Sequence, residues 1–148
     1  MRTALLLVFV AACSSGSSAK QSRIVDDGEA RKLLLDRNWL TEMPETERDH
    51  FHVYRFVPSM GGGVFQDRTA FRGQFELFAF HTKDDLLELH LPHTGDNALL
   101  HYKIERVKHG VFDLRLTIEH NPRGPDVYYS VEEQRGTTEA ELDAQLAR

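Results

Sequence analysis

The residues whose type and spacing come nearest to doing chemistry are the histidines, eight in all. His50-x-His52 on a strand would put both rings on one face, as two neighbouring zinc ligands require. His90-x-x-His93 straddles a strand end and a turn, and His101 follows in the next strand. With Leu89 opposite Leu100, His90 and His101 lie diagonally on the outer face, and His93 offers a third ligand. Exposed strand faces also tolerate histidine without a metal, and no Cys ligand is free. The reading is therefore no metal and no cofactor.

Covalent and acid–base chemistry find little support. No Gly-x-Ser-x-Gly elbow occurs, and Ser130 sits on a strand with no recognisable base beside it. Asp26-Asp27 and Asp84-Asp85 are adjacent carboxylates, but neighbours on a strand or turn point apart, whereas a catalytic pair must converge across a cleft. Glu132-Glu133 reads as a solvated pair. Gly61-Gly62-Gly63 reads as a loop, and no Lys-Ser/Thr or helix start follows it to make a phosphate cradle. The chain is expected not to be an enzyme.

The single cysteine, Cys13, permits no internal disulfide, and its position matters more than its number. Met1-Arg2 supplies a positive start, and Ala4 to Ala12 (ALLLVFVAA) is a short apolar run ending in small residues. That is the pattern of a secretory signal. Val10-Ala11-Ala12-Cys13 resembles the lipobox of bacterial lipoproteins. The resemblance implies cleavage after residue 12, diacylglyceryl attachment at Cys13 and an N-acyl chain such as palmitate. Each buried CH₂ of such an anchor contributes roughly 0.8 kcal/mol at a membrane surface. Ser14 rather than Asp after the cysteine favours the outer membrane over the inner in the family's sorting rule. Ser14 to Arg23 (SSGSSAKQSR) has no apolar residue larger than Ala and reads as a flexible spacer.

The rest is sized for one domain. A chain of 148 residues with 41% apolar residues can bury one core. Its net charge of -5 argues against nucleic acid, since neutralising phosphates needs clustered Lys and Arg. No apolar run reaches the 18 residues of a membrane-spanning helix.

The elements that would position any site are strands. From Asp85 to Glu119, Leu87, Leu89 and Leu91, then Leu100, Tyr102 and Ile104, then Phe112, Leu114, Leu116 and Ile118 alternate with polar residues. Period two gives each run one apolar face, so the stretch reads as an antiparallel meander packed on one side. Lys108-His109-Gly110 reads as a three-residue hairpin loop, placing Lys103 diagonal to Asp113 and Glu105 diagonal to Arg115. Eight strands are expected at Arg37–Met43, His50–Val57, Val64–Asp67, Ala70–Phe80 (with a bulge or bend at Gly73), Asp85–Leu91, Ala98–Val107, Val111–Glu119 and Asp126–Val131. A short helix over Asp26–Asp36 precedes them, and a capping box at Thr138 and Glu141 begins a C-terminal one.

Sequential antiparallel strands abolish their edges by closing. The short helix, Trp39 near the start of the first strand and the eight-strand meander resemble the lipocalin-like (calycin) proteins over residues 30–131. Arg37-Asn38-Trp39 lacks the glycine of that family's Gly-x-Trp, and its Thr-Asp-Tyr is not evident. The expected fold is an all-β, eight-stranded antiparallel up-and-down barrel with short terminal helices, the alternative being a two-sheet sandwich. The expected divisions are a signal peptide (1–12), lipidated N-terminus and spacer (13–23), β domain (24–135) and helical tail (136–148). The resemblance implies an interior that holds a small apolar or amphipathic ligand. Trp39, Tyr54, Phe56, Phe75, Leu89, Tyr102 and Leu116 are the residues expected to line it. The alternative is an envelope interaction or scaffolding protein with a filled barrel. Function is to be sought inside the barrel, in the loops Pro58–Gly63 and Asn121–Asp126, or at the lipidated end. The expected partners are membrane lipid through Cys13, the apolar ligand and an envelope protein.

Overall fold

The structure, a computed structural model, describes residues 23–132. The expected signal peptide, Cys13, most of the spacer and the C-terminal helix lie outside the described residues. The N-terminal helix α1 runs Asp27–Leu34. Asp26 has extended backbone, and its carboxylate accepts the Glu29 N–H at 3.0 Å, satisfying one of the donors a helix start leaves open. The buried stripe is Ala30, Leu33 and Leu34.

Nine strands follow the chain: β1 Arg23–Ile24, β2 Asn38–Leu40, β3 Phe51–Val57, β4 Gly62–Arg68, β5 Gly73–Lys83, β6 Leu86–Leu91, β7 Asp96–His109, β8 Phe112–Ile118 and β9 Val127–Ser130. From β2 to β9 each pairs antiparallel with the next, and β9 returns to β2 through Tyr129 and Leu40. The result is a closed eight-stranded up-and-down barrel, not a sandwich. The ninth strand, β1, lies against β7, with Arg23 opposite Arg106 and Ile24 opposite Glu105.

The alternation read from the sequence sets the inside of the meander. Leu87, Leu89, Leu91, Leu100, Tyr102, Ile104, Leu114, Leu116 and Ile118 all belong to the buried core. Aromatic rings fill the space they enclose. Tyr54 lies 4.9 Å from Phe65, 5.2 Å from Tyr128 and 5.6 Å from Phe78, and Phe56 lies 5.2 Å from Phe80. The edge-to-face contacts among them add about 0.5–1.5 kcal/mol each beyond burial. Helix α1 covers the end where β2 begins and β3 finishes. There Arg31 Nε donates to Thr82 Oγ1 at 3.1 Å, and the Asp36 N–H donates to the Phe56 carbonyl at 2.8 Å.

Several expectations change. The β7–β8 hairpin turns over two residues, Gly110 and Val111, with His109 opposite Phe112, rather than over Lys108-His109-Gly110; with an irregularity between Arg106 and His109, this makes Glu105 face Arg115 directly and Lys103 face Thr117. The Arg115 guanidinium reaches Glu105 Oε2 at 2.7 Å, and Lys103 Nζ lies 3.9 Å from the same oxygen. Glu105 is buried rather than solvated, because β1 packs beside it. In the β6–β7 hairpin Leu89 faces Ala98, not Leu100, since the turn is two residues tighter than expected. Gly62 and Gly63 are strand, not loop; only Gly61 takes positive φ, at 76°. Gly73 is the first residue of β5 and carries no bulge. The first strand shortens from Arg37–Met43 to Asn38–Leu40.

Arg106 ties three elements at the helix end. It donates to both Glu29 oxygens at 3.1 and 2.7 Å and to Glu132 Oε2 at 3.1 Å. These bonds hold both carboxyls below their ordinary value of 4.5. A carboxyl depressed in the folded state stabilises above its unfolded pKa, and that contribution is lost as pH falls through the folded value. Arg106→Gln is therefore expected to lower Tm by a few degrees at neutral pH, modestly because all three side chains are partly exposed. The gap to the unsubstituted chain should close below about pH 4.5. Melting curves from pH 7 to pH 3 check this; a gap independent of pH would show that the ion pairs are not its source.

Candidate functional site

The barrel wall has one discontinuity that follows from local sequence. Strand β6 runs only six residues before Pro92, which cannot donate to a ladder. Thr94 and Gly95 N–H groups turn back onto the Leu91 carbonyl at 3.2 and 2.8 Å, and Gly95 takes positive φ. Strand β6 thus pairs with β5 only over Ala79–Lys83. The earlier half of β5, Gly73–Phe78, pairs with β4 alone. On its other side no strand lies among the described residues.

Beside that half-strand is an open slot of about 740 Å³. Gln74, Phe75, Glu76 and Leu77 line one wall; Pro92, His93 and Arg123 line the other. Successive strand residues point to opposite faces, so four in a row can border one space only where it runs along the strand's edge. Phe75 and Leu77 stand on the outer face, 73% and 59% exposed. The inner face is polar. Arg123 Nε donates to Glu76 Oε2 at 2.6 Å and its Nη2 to Oε1 at 3.2 Å, a bidentate pair in which both side chains are mostly buried. The bond raises the pKa of Arg123, holding it cationic. Past Leu77 and Pro92 a second, apolar hollow of about 270 Å³ reaches Met60.

The loop carrying Arg123 is fixed from inside the barrel. Tyr54 donates its hydroxyl to Asn121 Oδ1 at 2.9 Å, and Tyr128 donates to the Arg123 carbonyl at 3.3 Å. Burial pushes both phenols well above the usual tyrosine range, so they remain donors at all working pH values.

The seven residues expected to line a ligand cavity divide. Trp39, Tyr54, Phe56, Leu89 and Leu116 are fully buried and pack on other side chains. Tyr102 is buried and borders a hollow of about 350 Å³ beneath α1, where its hydroxyl has no hydrogen-bond partner. Phe75 alone borders the slot, from the outer face rather than the interior, because the inward parity of β5 belongs to Glu76, Phe78 and Phe80.

The histidines do not gather. His90 faces Asn97, with Nδ1 2.7 Å from Asn97 Oδ1, and His101 faces Leu86 and lies 2.7 Å from Asp85. The two positions are four residues apart along β6. His50 Nδ1 is 2.9 Å from Asp67 Oδ1, with His52 Nε2 at 3.8 Å from the same oxygen. Ser130 Oγ donates to the Asn38 carbonyl at 2.8 Å, a structural bond. Asp26 caps α1, and Glu132 is held by Arg106.

The slot residues Glu76 and Arg123 were not singled out in the sequence. The signal available was Glu76 sharing parity with Phe78 and Phe80, a carboxylate aimed inward that must find a cation.

Fold and slot together define a small all-β barrel with a packed interior and an opening in its wall, an architecture consistent with a binding module. Comparison with protein-family models finds no match, and neither curated proteins nor solved structures give one.

Proposed function

We propose that this chain is an exported, lipid-anchored protein of a bacterial cell envelope whose barrel is a non-enzymatic interaction module. The observation that carries the reading is that the barrel interior is filled while an open slot runs beside half of β5. A partner is then held outside the core, between β5 and the loops at Pro92 and Arg123. The anchor rests on the N-terminal residues: a basic start, the apolar run Ala4–Ala12 and the lipobox-like Val10–Cys13. Ser14 favours the outer membrane. The non-enzymatic reading is supported by Glu76, whose two oxygens are both engaged by Arg123, and by the backbone bond of Ser130.

One observation favours a second reading. The slot's 740 Å³ falls within the roughly 300–1,000 Å³ of small-molecule sites, so a small amphipathic ligand could occupy it. A photoreactive residue in place of His93, with the full chain expressed in an enveloped bacterium, separates the two. Adducts with polypeptide support the interaction module. Adducts only with lipid or metabolite would replace it with the ligand carrier. Cys13→Ser is expected to abolish labelling by radioactive palmitate and release the chain from membranes. Unchanged labelling would overturn the anchor.

A further inference from the structure

We infer that the slot binds an extended peptide, which adds to β5 as an antiparallel strand and carries apolar and basic residues in alternation. The inference rests on the interaction reading above and specifies its partner. An unpaired strand edge presents alternate N–H and C=O groups outward, and another extended backbone satisfies them best. Native edges are usually blunted by Lys, Pro or a bulge; Gly73-Gln74-Phe75-Glu76-Leu77-Phe78 has none of these. Its one charge, Glu76, points inward to Arg123 and leaves the edge unguarded.

The two faces of the slot dictate the alternation. Side chains directed outward from an added strand meet Phe75 and Leu77 and, further along, the apolar hollow at Met60. Those directed inward meet Glu76, held by Arg123, and Asp67, whose Oδ1 lies 2.9 Å from His50 Nδ1 and 3.8 Å from His52 Nε2. The Asp67 side chain remains 46% exposed, so a lysine or arginine at an inward position of the peptide can pair with it. Pro92, His93 and Arg123 border the slot as well, so whatever pairs with this edge enters it as an extended segment.

The test uses the purified full chain in detergent and the labelled peptide acetyl-Val-Lys-Val-Lys-Val-Lys-Val-amide, with two twins N-methylated at the valines or at the lysines. Only one edge of an added strand bonds to β5, so N-methylation is tolerated on one set and not on the other. Saturable binding is expected, with one twin weakened more than about tenfold and the other little changed. Hydrogen exchange should slow at alternate amides within Gly73–Leu77. Leu77→Asp, on the solvent side and outside the core, should weaken binding by about tenfold or more. No saturation by about 1 mM, equal behaviour of the twins, or a dimer whose formation excludes the peptide would each overturn the inference. If polypeptide adducts form at position 93 while the peptide tests fail, this inference falls and the interaction module stands. If position 93 captures no polypeptide, the interaction module falls.

Discussion

Trp39→Ala is expected to lower the unfolding free energy by about 3–5 kcal/mol, the range for deleting a fully buried aromatic side chain. Trp39 has no exposed surface, and its Nε1–H donates to the Leu34 carbonyl at 3.0 Å. That carbonyl belongs to the last turn of α1, where no further helical N–H is available to it. The truncation therefore opens a cavity at the helix-covered end of the barrel and also leaves a buried acceptor unpaired. The loss is a large fraction of the roughly 5–15 kcal/mol typical of a folded domain. Urea unfolding followed by circular dichroism measures it, since the substitution removes the only tryptophan. Trp39→Phe, which retains most of the volume and discards the hydrogen bond, should cost about 1–3 kcal/mol. Equal, small losses in both would mean that the indole does not brace the helix.

Gly62→Ala is expected to cost about 3 kcal/mol, the upper end for forcing an extra methyl into packed structure. A Cβ at Gly62 would fall 2.1 Å from the Phe78 carbonyl oxygen, a backbone atom that can move only if β4 and β5 separate. Gly61→Ala is the control. Gly61 has open space around it but a φ of 76°, so alanine there should cost only about 1–2 kcal/mol of backbone strain. Thermal melts of the two variants settle the order. A smaller loss at Gly62 than at Gly61 would show that the close β4–β5 approach is not maintained in solution.

That glycine run shows what the sequence could and could not reveal. Three adjacent glycines read as a loop because positive φ is the commonest reason for glycine. Only Gly61 uses it. Gly62 and Gly63 are there for the absence of a Cβ, which depends on β5 lying alongside, and a long-range approach leaves no local mark. The strands of the meander were legible because burial of one face imposes a period of two. Their registers were not, because the turn at Pro92–Gly95 displaces one ladder by two residues, and the Gly110–Val111 turn together with the irregularity near His109 displaces the other by two, which leaves the alternation of the apolar runs unchanged. The misplacement of Phe75 has the same origin. Strand β5 has aromatic residues on both faces, and alternation alone gives no preference for Glu76, Phe78 and Phe80 as the inner set. What decides it is the Arg123 guanidinium, 47 residues away, waiting for the carboxylate.

The barrel is also unlike at its two ends. The chain enters through β1 and α1 at the end where β3 finishes, whereas the slot lies where β3 begins and β4 finishes. The first described residues and the open edge thus lie at opposite poles of the barrel. Under the anchored reading proposed above, a partner reaches the edge at the pole opposite the tether.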